Sequence, residues 1–273
     1  MCQNFRNYRK LGMSKTIISG SNGFIGGRLK RVLIDPICVP HDELSTLIPE
    51  PYDYFYFLSS YGNLADQTDV EETIKANLSD VIHVLNNSSK NFKSFVYFSS
   101  SSVKLPRQTV YSRAKRAAEE VLLSYIESQQ LPICIIRPFS VTGVGEQAKH
   151  LIPTLIRSCL LGERINFVPE PTHDFIDVSD VIEGVLNLSL NKAKGIFELG
   201  SGKKYSNAEV LEIVEKECKK KANINIVPSL RDYDTKDWVS TNFRSRSWGW
   251  LPQKSLEQSI HEMVIDFKKN EQA

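Results

Sequence analysis

Thr16-Ile17-Ile18-Ser19-Gly20-Ser21-Asn22-Gly23-Phe24-Ile25-Gly26 is the stretch that decides the fold. A β-branched run enters a turn punctuated by glycine, and the turn opens a helical pattern from Phe24 to about Leu33. In that setting each glycine has its own use. One permits the tight turn, one lets the backbone approach a pyrophosphate, and one allows helix and strand to pack closely. The helix start adds free N–H groups and the positive end of its dipole. The stretch reads as a dinucleotide-binding turn; an ordinary strand–turn–helix corner is the alternative.

Outward from this turn, apolar runs alternate with helical ones. Strands are predicted at Ile37–Val39, Tyr54–Leu58, Phe95–Phe98 and Ile133–Ile136, with long helices at Val70–Asn91 and Tyr111–Glu127. Tyr54–Leu58 is apolar throughout, as in a strand covered on both faces. Later, helices are predicted at Leu151–Leu161, Ser179–Leu190, Ser206–Lys219 and Leu256–Lys268. Short strands are predicted near Ile165–Val168, Gly195–Leu199 and Ile224–Val227. Strand–helix alternation implies βαβ units. The predicted fold class is α/β: a Rossmann-type doubly wound parallel sheet with a small C-terminal substrate lobe. Residues 1–12 read as a flexible arm and 13–150 as the dinucleotide-binding core. Residues 151–273 read as a substrate-binding lobe interleaved with the end of that core.

Composition excludes several classes. With 41% hydrophobic and 24% charged residues and a net charge of +2, neither nucleic acid nor a membrane is expected as partner. No apolar run has the length of a membrane span, and residues 1–12 lack a secretory apolar core. The five cysteines are scattered without metal-ligand spacing, so no metal is expected. A reducing, cytoplasmic location is the expectation.

A second constellation carries chemistry. Phe98-Ser99-Ser100-Ser101-Ser102-Val103 ends a buried strand, and Tyr111-Ser112-Arg113-Ala114-Lys115 opens a helix. Residues four apart share a helix face, so Tyr111 and Lys115 point to one place. A tyrosine with its ordinary pKa of about 10 is a poor acid–base group at neutral pH, and a nearby ammonium is expected to lower it. A strand-end serine then holds the substrate oxygen while tyrosine moves the proton. Ser100 is preferred for that role, with Ser101 as the alternative.

Together these residues make the chain resemble the extended short-chain dehydrogenases, the NAD-dependent epimerase/dehydratase family that modifies nucleotide sugars. Gly20, Gly23 and Gly26 match its GxxGxxG, and Leu58-Ser59-Ser60 resembles the strand end beneath the cofactor. Asn77 looks like the asparagine of the mid-helix bend. Arg137–Gly143 resembles RPxNVYG, Asp174–Asp180 resembles RDFxxVxD, and Trp248–Pro252 resembles a late LGWxP. The resemblance implies NAD or NADP as cofactor and Ser100, Tyr111 and Lys115 as catalytic residues. It assigns Gly20, Asn22, Gly23, Phe24, Ile25, Gly26, Leu58, Ser59, Ser60, Asn77, Ser99, Pro138 and Val141 to the cofactor, together with Tyr111 and Lys115. Ser101, Ser140 and His173 fall to a nucleotide-sugar substrate.

Departures from the pattern matter. The interval from Gly26 to Leu58 is short, so a strand–helix unit is expected to be reduced or missing. After the second strand, Asp42 is a candidate to bond the ribose and favour NAD; a solvated loop aspartate is the alternative. Tyr111 lies only ten positions after Ser101, and Ser140, Thr142 and His173 replace the usual asparagine, tyrosine and arginine. The family's dehydratases and decarboxylases carry an acid just after the active hydroxyl, whereas Ser101 and Ser102 stand there here. Hydride chemistry at C4 remains, with 4-keto reduction favoured over 4-epimerisation; a non-catalytic dinucleotide sensor is the other class. Ala114, Ala117, Val121 and Tyr125 form a stripe that suits a homodimer or the helix's own sheet.

Overall fold

The computed structural model describes residues 14–64, 66–229 and 238–271. The arm at residues 1–12 lies outside them. The first half of the chain runs β1 (Thr16–Ser19), α1 (Phe24–Val32), β2 (Ile37–Val39), β3 (Tyr54–Phe57), α2 (Val70–Ile74), α3 (Asp80–Asn87), β4 (Ser94–Phe98), α4 (Val110–Gln129) and β5 (Ile133–Pro138). It continues through β6 (Ser140–Thr142), α5 (Leu151–Leu161), β7 (Ile165–Phe167), β8 (Thr172–His173), β9 (Phe175–Asp177), α6 (Val178–Leu190) and β10 (Gly195–Leu199). The last elements are β11 (Tyr205–Ser206), α7 (Asn207–Cys218), β12 (Ile224–Ile226), α8 (Phe243–Ser247) and α9 (Leu256–Asn270).

Six strands form one parallel sheet in the order β10-β5-β4-β3-β1-β2. Alternation along β3 sends Tyr54 and Tyr56 to one face with Ile18, Val96 and Ile136. Phe55 and Phe57 go to the other with Phe95, Tyr97 and Ile135. Residues of α6, including Val181 and Val185, cover the first face; Val84 of α3 with Ala118 and Leu122 of α4 cover the second. Burial on both faces explains why the strands read as unbroken apolar runs. Beyond β2 there is only one turn of 3-10 helix, His41–Glu43, before the chain crosses to β3. This is where the sequence is short, and β2 is the sheet's edge.

A separate apolar cluster joins α5, α7 and α9 through Ile152, Leu155, Val210, Val214 and Ile260, together with Phe167 of β7. The capping box at Ser206 and Glu209 starts α7. Asp174 ties this region to the sheet. Its carboxylate accepts from the backbone N–H groups of Ser201, Gly202 and Ser240 and from the hydroxyls of Ser201 and Ser240. The indole N–H of buried Trp250 donates to the Asp180 carbonyl at 3.0 Å.

The long helix expected over Val70–Asn91 is not continuous. A π-helical turn, Lys75–Ser79, separates α2 from α3, and the helix stops at Asn87. The asparagines and serines that follow bond locally in competition with helix. The Ser88 hydroxyl donates to the Val84 carbonyl, and the Lys90 ammonium reaches the Leu85 carbonyl. Two small pairings were also absent from the sequence reading: β6 with β9, and β8 with β11.

Candidate active site

The chain leaves β1, returns as β2 on one side and then crosses to β3 on the other. Such a reversal opens a crevice at the strands' carboxyl ends. The turn there is built without room to spare. Gly20 has φ of +70°, and a Cβ on it would sit 2.7 Å from the Leu58 carbonyl carbon and 2.8 Å from Ser59 N. A Cβ on Gly26 would fall 2.0 Å from the Gly20 oxygen. Thus Gly20 lies on the β3 strand end, and Ser59 N donates to the Ser19 hydroxyl at 3.3 Å.

Gly23 caps α1 with no side-chain hydrogen bond, which leaves first-turn N–H groups for a ligand. An open groove of about 680 Å³ runs past Ser21, Asn22, Gly23 and Phe24, with Arg28 and Arg31 on its wall. Free donors, a bare glycine cap and flanking guanidinium groups fit a pyrophosphate. Ile25 is half-buried on the same helix and packs against the core. Asp42, by contrast, is exposed on the one-turn helix beyond the edge strand. Its neighbour His41 pairs with Glu72 at 2.6 Å.

At the ends of β3 and β4 the structure gathers hydroxyls around one phenol. Thr109 caps α4, accepting from Ser112 N at 3.3 Å, so Tyr111 stands on the first turn. The hydroxyls of Ser60 and Ser100 bear on the Tyr111 phenol and work against the rise of its pKa. Ser100 is half-buried and caps a 3-10 turn, Ser101–Lys104; its Oγ accepts from Ser102 N at 3.1 Å and bonds Ser102 Oγ at 2.8 Å. Ser101 is buried. Of the two candidate serines, Ser100 is the one whose hydroxyl bears on the Tyr111 phenol.

Lys115 is buried one turn further along α4. Its ammonium donates to the Phe98 carbonyl at 2.7 Å and lies 4.7 Å from the Tyr97 ring centre and 5.9 Å from that of Tyr111. Burial pulls its pKa down to about 7, against the carboxylate of Glu119, which raises it. The Tyr111 phenol is moved the other way. Burial raises its pKa, and the hydroxyls of Ser60 and Ser100, not the ammonium, oppose the rise. The expected lowering of Tyr111 by Lys115 is thus corrected: desolvation outweighs a cation whose own charge is weakened by burial.

Asn77, buried within the π turn, binds this cluster to the helix. Its amide nitrogen donates to the Tyr61 and Thr73 carbonyls at 2.6 and 2.7 Å, and its oxygen accepts from Ser60 at 2.9 Å. Its main-chain carbonyl accepts from Tyr97 at 2.7 Å. Ser99 turns inward, donating to Glu119 at 2.5 Å. Glu119 and Arg137 went unremarked in this role, although an acid four residues beyond Lys115 was a visible signal. Pro138 ends β5 and Val141 lies in β6, both half-buried. Ser140 and His173 come together at 3.5 Å, with the His173 ring 5.5 Å from that of Trp238. Among the described residues no group of three or more His, Cys, Asp or Glu side chains could hold a metal ion.

A parallel sheet with a switch-point crevice, a glycine turn and a Ser–Tyr–Lys cluster defines a Rossmann-type dinucleotide-binding protein. The sequence model of the NAD dependent epimerase/dehydratase family matches residues 40–200. The chain belongs to this family, whose cofactor is a nicotinamide dinucleotide. It is 23% identical over 295 residues to GDP-6-deoxy-D-mannose reductase of Pseudomonas aeruginosa, covering 93% of this chain and 97% of the relative. It is 25% identical over 166 residues to UDP-glucuronic acid decarboxylase 2 of Arabidopsis thaliana. That match covers 59% of this chain and only 37% of the relative's length. Among solved structures, the epimerase Mth375 of Methanothermobacter thermautotrophicus superposes with a TM-score of 0.85 at 18% identity, covering 98% of this chain and 96% of that one.

Proposed function

We propose that this chain is an NAD(P)-dependent oxidoreductase acting at C4 of a nucleotide-linked sugar, in the direction of 4-keto reduction. The observation that carries the reading is the placing of Ser100 just beyond β4 and of Tyr111 and Lys115 one turn apart on α4, the Lys115 ammonium 5.9 Å from the Tyr111 ring centre. Bound nicotinamide supplies the hydride. Ser100 holds the carbonyl oxygen, and Tyr111 gives it a proton, a contribution of roughly 10²–10⁴-fold. Lys115 fixes the phenol's side of the cleft and is at hand for the nicotinamide ribose. Asn22, Gly23, Phe24 and Ile25 take the phosphates; Ser140 and His173 serve the sugar side.

Elimination or decarboxylation needs a further acid or base beside the active hydroxyl. Ser101 and Ser102 occupy those positions, and Ser102 is bonded to Ser100. This supports simple hydride chemistry even though decarboxylases are among the relatives. A homodimer through α2 and α4 belongs to the same reading, supported by the exposed apolar side chains of Val70, Ile74 and Val110. A cytoplasmic, reducing location is supported by Cys38, Cys134, Cys159 and Cys218, all free thiols. No helix among the described residues is long and apolar enough to cross a membrane.

The test is turnover with GDP-, UDP- and CDP-linked 4-keto-6-deoxy sugars and either NADH or NADPH. Consumption of one reduced dinucleotide per alcohol formed supports the reductase. Interconversion of 4-epimers without net consumption identifies a 4-epimerase. Dinucleotide uptake with neither reaction would leave a sensor and end the proposal.

A further inference from the structure

We infer that Arg28 is a positioning residue: it joins the cofactor's pyrophosphate to the strap formed by residues 143–150, so that a bound dinucleotide fixes the segment leading into α5. This rests on the reading above that the start of α1 takes the phosphates, and adds to it a link between the two sides of the groove.

Arg28 stands one turn beyond Phe24 on α1, and helical side chains lean toward the helix start. The groove has Gly23, Phe24 and Arg28 on its helix side and Val144, Gly145 and Gln147 on its strap side. Arg28 Nη2 reaches from one side to the other and donates to the Val144 carbonyl at 3.0 Å. That bond occupies only part of the guanidinium fork. The rest of the fork meets no acceptor among the described residues. Lys30 and Arg31 add charge to the same groove, and none of its described lining residues is an acid. Glu146, the acid of the strap, is occupied elsewhere: Oε2 accepts from Thr142 at 2.7 Å and Oε1 pairs with His150 Nδ1 at 3.0 Å. A guanidinium with donors left over, in a cationic groove beside a bare helix start, suits an anion with several oxygens, and a pyrophosphate is one.

The strap is braced as one piece. Glu146 holds Thr142 before it and His150 at its end, while Glu146 N donates to the Gly143 carbonyl and His150 N to the Gln147 carbonyl, each at 3.0 Å. Val144 stands between two glycines in left-handed conformations, Gly143 at φ +135° and Gly145 at +87°. Lys149 also reaches Asp66 at 2.6 Å, but with 74% and 58% of the two side chains exposed that pair holds little. The Val144 carbonyl is therefore the strap's firm attachment to α1, and Arg28 makes it. A pyrophosphate in the groove fixes the guanidinium on a second side, and the freedom it loses is lost by the strap as well. Because α5 begins at the strap's end, less entropy remains to be lost when a second ligand arrives there. Dinucleotide first, nucleotide sugar second is the order of addition this favours.

The experiment measures calorimetric affinity for NADH and NADPH, and backbone hydrogen exchange of residues 143–150 with and without dinucleotide, in the parent, Arg28→Met and Arg28→Lys. In the parent, binding is expected to slow exchange of the strap several-fold. Arg28→Met is expected to lose about tenfold in affinity, the size of one charge-assisted contact, and all of the slowing. Arg28→Lys keeps the charge without the fork, so it should recover most of the affinity and little of the slowing. Slowing of parental size in Arg28→Met would overturn the inference. So would faster strap exchange in the dinucleotide-bound parent, which would mean that the phosphate takes Arg28 away from Val144. A parent that takes up neither dinucleotide would overturn the cofactor reading along with it. Slowing that is present in the parent and lost in Arg28→Met, with no turnover of any nucleotide sugar, supports the inference and counts against the proposed reaction only.

Discussion

Glu119 on α4 grips Arg137 on β5 in a two-pronged contact, Nε to Oε1 at 2.8 Å and a terminal guanidinium nitrogen to Oε2 at 2.5 Å. The same carboxylate accepts from Ser99, the residue before Ser100, and lies one turn beyond Lys115. Three elements that carry the site are thereby fixed to one buried acid. Glu119→Ala leaves Arg137 without its counter-charge, and the loss is expected to be on the order of 3 kcal/mol, read from urea unfolding. Glu119→Gln keeps most of the hydrogen bonds but removes the charge that raises the Lys115 pKa. That pKa then falls further below about 7, so any dependence of dinucleotide affinity on the ammonium weakens at lower pH than in the parent. Calorimetric titrations across pH 5–9 check the direction.

Lys115 itself makes the fold's stability depend on pH. Its pKa is 10.5 in an open chain and about 7 when folded, so between those values the unfolded chain binds the extra proton. Stability contributed at this position therefore rises with pH from about 7 to 10.5, and the cost of burying the ammonium is fully present below 7. Lys115→Met is expected to stabilise the ligand-free protein at pH 6 and to lose that advantage steadily toward pH 10. Thermal unfolding of both proteins along this series would contradict the assignment if the gap stayed constant.

Legibility in the sequence followed the physics of each element. Tyr54–Phe57 and Ser94–Phe98 could be read because a strand covered on both faces must be apolar at every position. The reduced unit after β2 could be read from chain length alone, and the sheet ends there. Two- and three-residue strands such as Thr172–His173 have no period to detect. The π turn depends on what Asn77 reaches across space, namely Tyr61, Ser60 and Tyr97, none of which is near it in sequence. At the site, YxxxK spacing placed two side chains together but carried no information on burial. Burial decides that Ser60 and Ser100, rather than Lys115, oppose the upward shift of Tyr111.

The two adjacent serines make separable predictions. The Ser100 hydroxyl bears on the Tyr111 phenol, whereas Ser101 is 2% exposed in the 3-10 turn. Ser100→Ala is expected to lower turnover by roughly 10²-fold or more, the range for losing one donor to a developing oxyanion, and to cost about 1 kcal/mol of stability through loss of the cap on Ser102 N. Ser101→Ala should leave kcat within a few-fold. Equal losses in the two variants, measured on whichever 4-keto sugar is turned over, would mean the wrong hydroxyl has been assigned.

Asp174 offers a separate stability test. One buried carboxylate satisfies three main-chain N–H groups, those of Ser201, Gly202 and Ser240. Replacement by alanine strands those donors, each at about 1–3 kcal/mol if left unpaired. Asp174→Ala is therefore expected to lose several kcal/mol, while Asp174→Asn, which keeps one acceptor oxygen, loses less. Urea midpoints for the pair would show the order; equal midpoints would mean that water replaces the carboxylate.

The glycine turn separates folding from binding. A methyl at Gly26 would lie 2.0 Å from the Gly20 carbonyl oxygen, an overlap that backbone must move to relieve. A methyl at Gly23 would meet that oxygen at 3.4 Å, ordinary contact, and would project from the bare cap of α1 beside the groove. Gly26→Ala is therefore expected to lower both melting temperature and dinucleotide affinity. Gly23→Ala should stay within about 1 kcal/mol of the parent in stability, as for a cap glycine replaced by alanine. Its dinucleotide affinity should nevertheless fall at least about tenfold, the cost of roughly 1.4 kcal/mol for one displaced phosphate contact. Scanning calorimetry and isothermal titration on the same two variants measure both quantities. Full affinity in Gly23→Ala would place the pyrophosphate somewhere other than the start of α1.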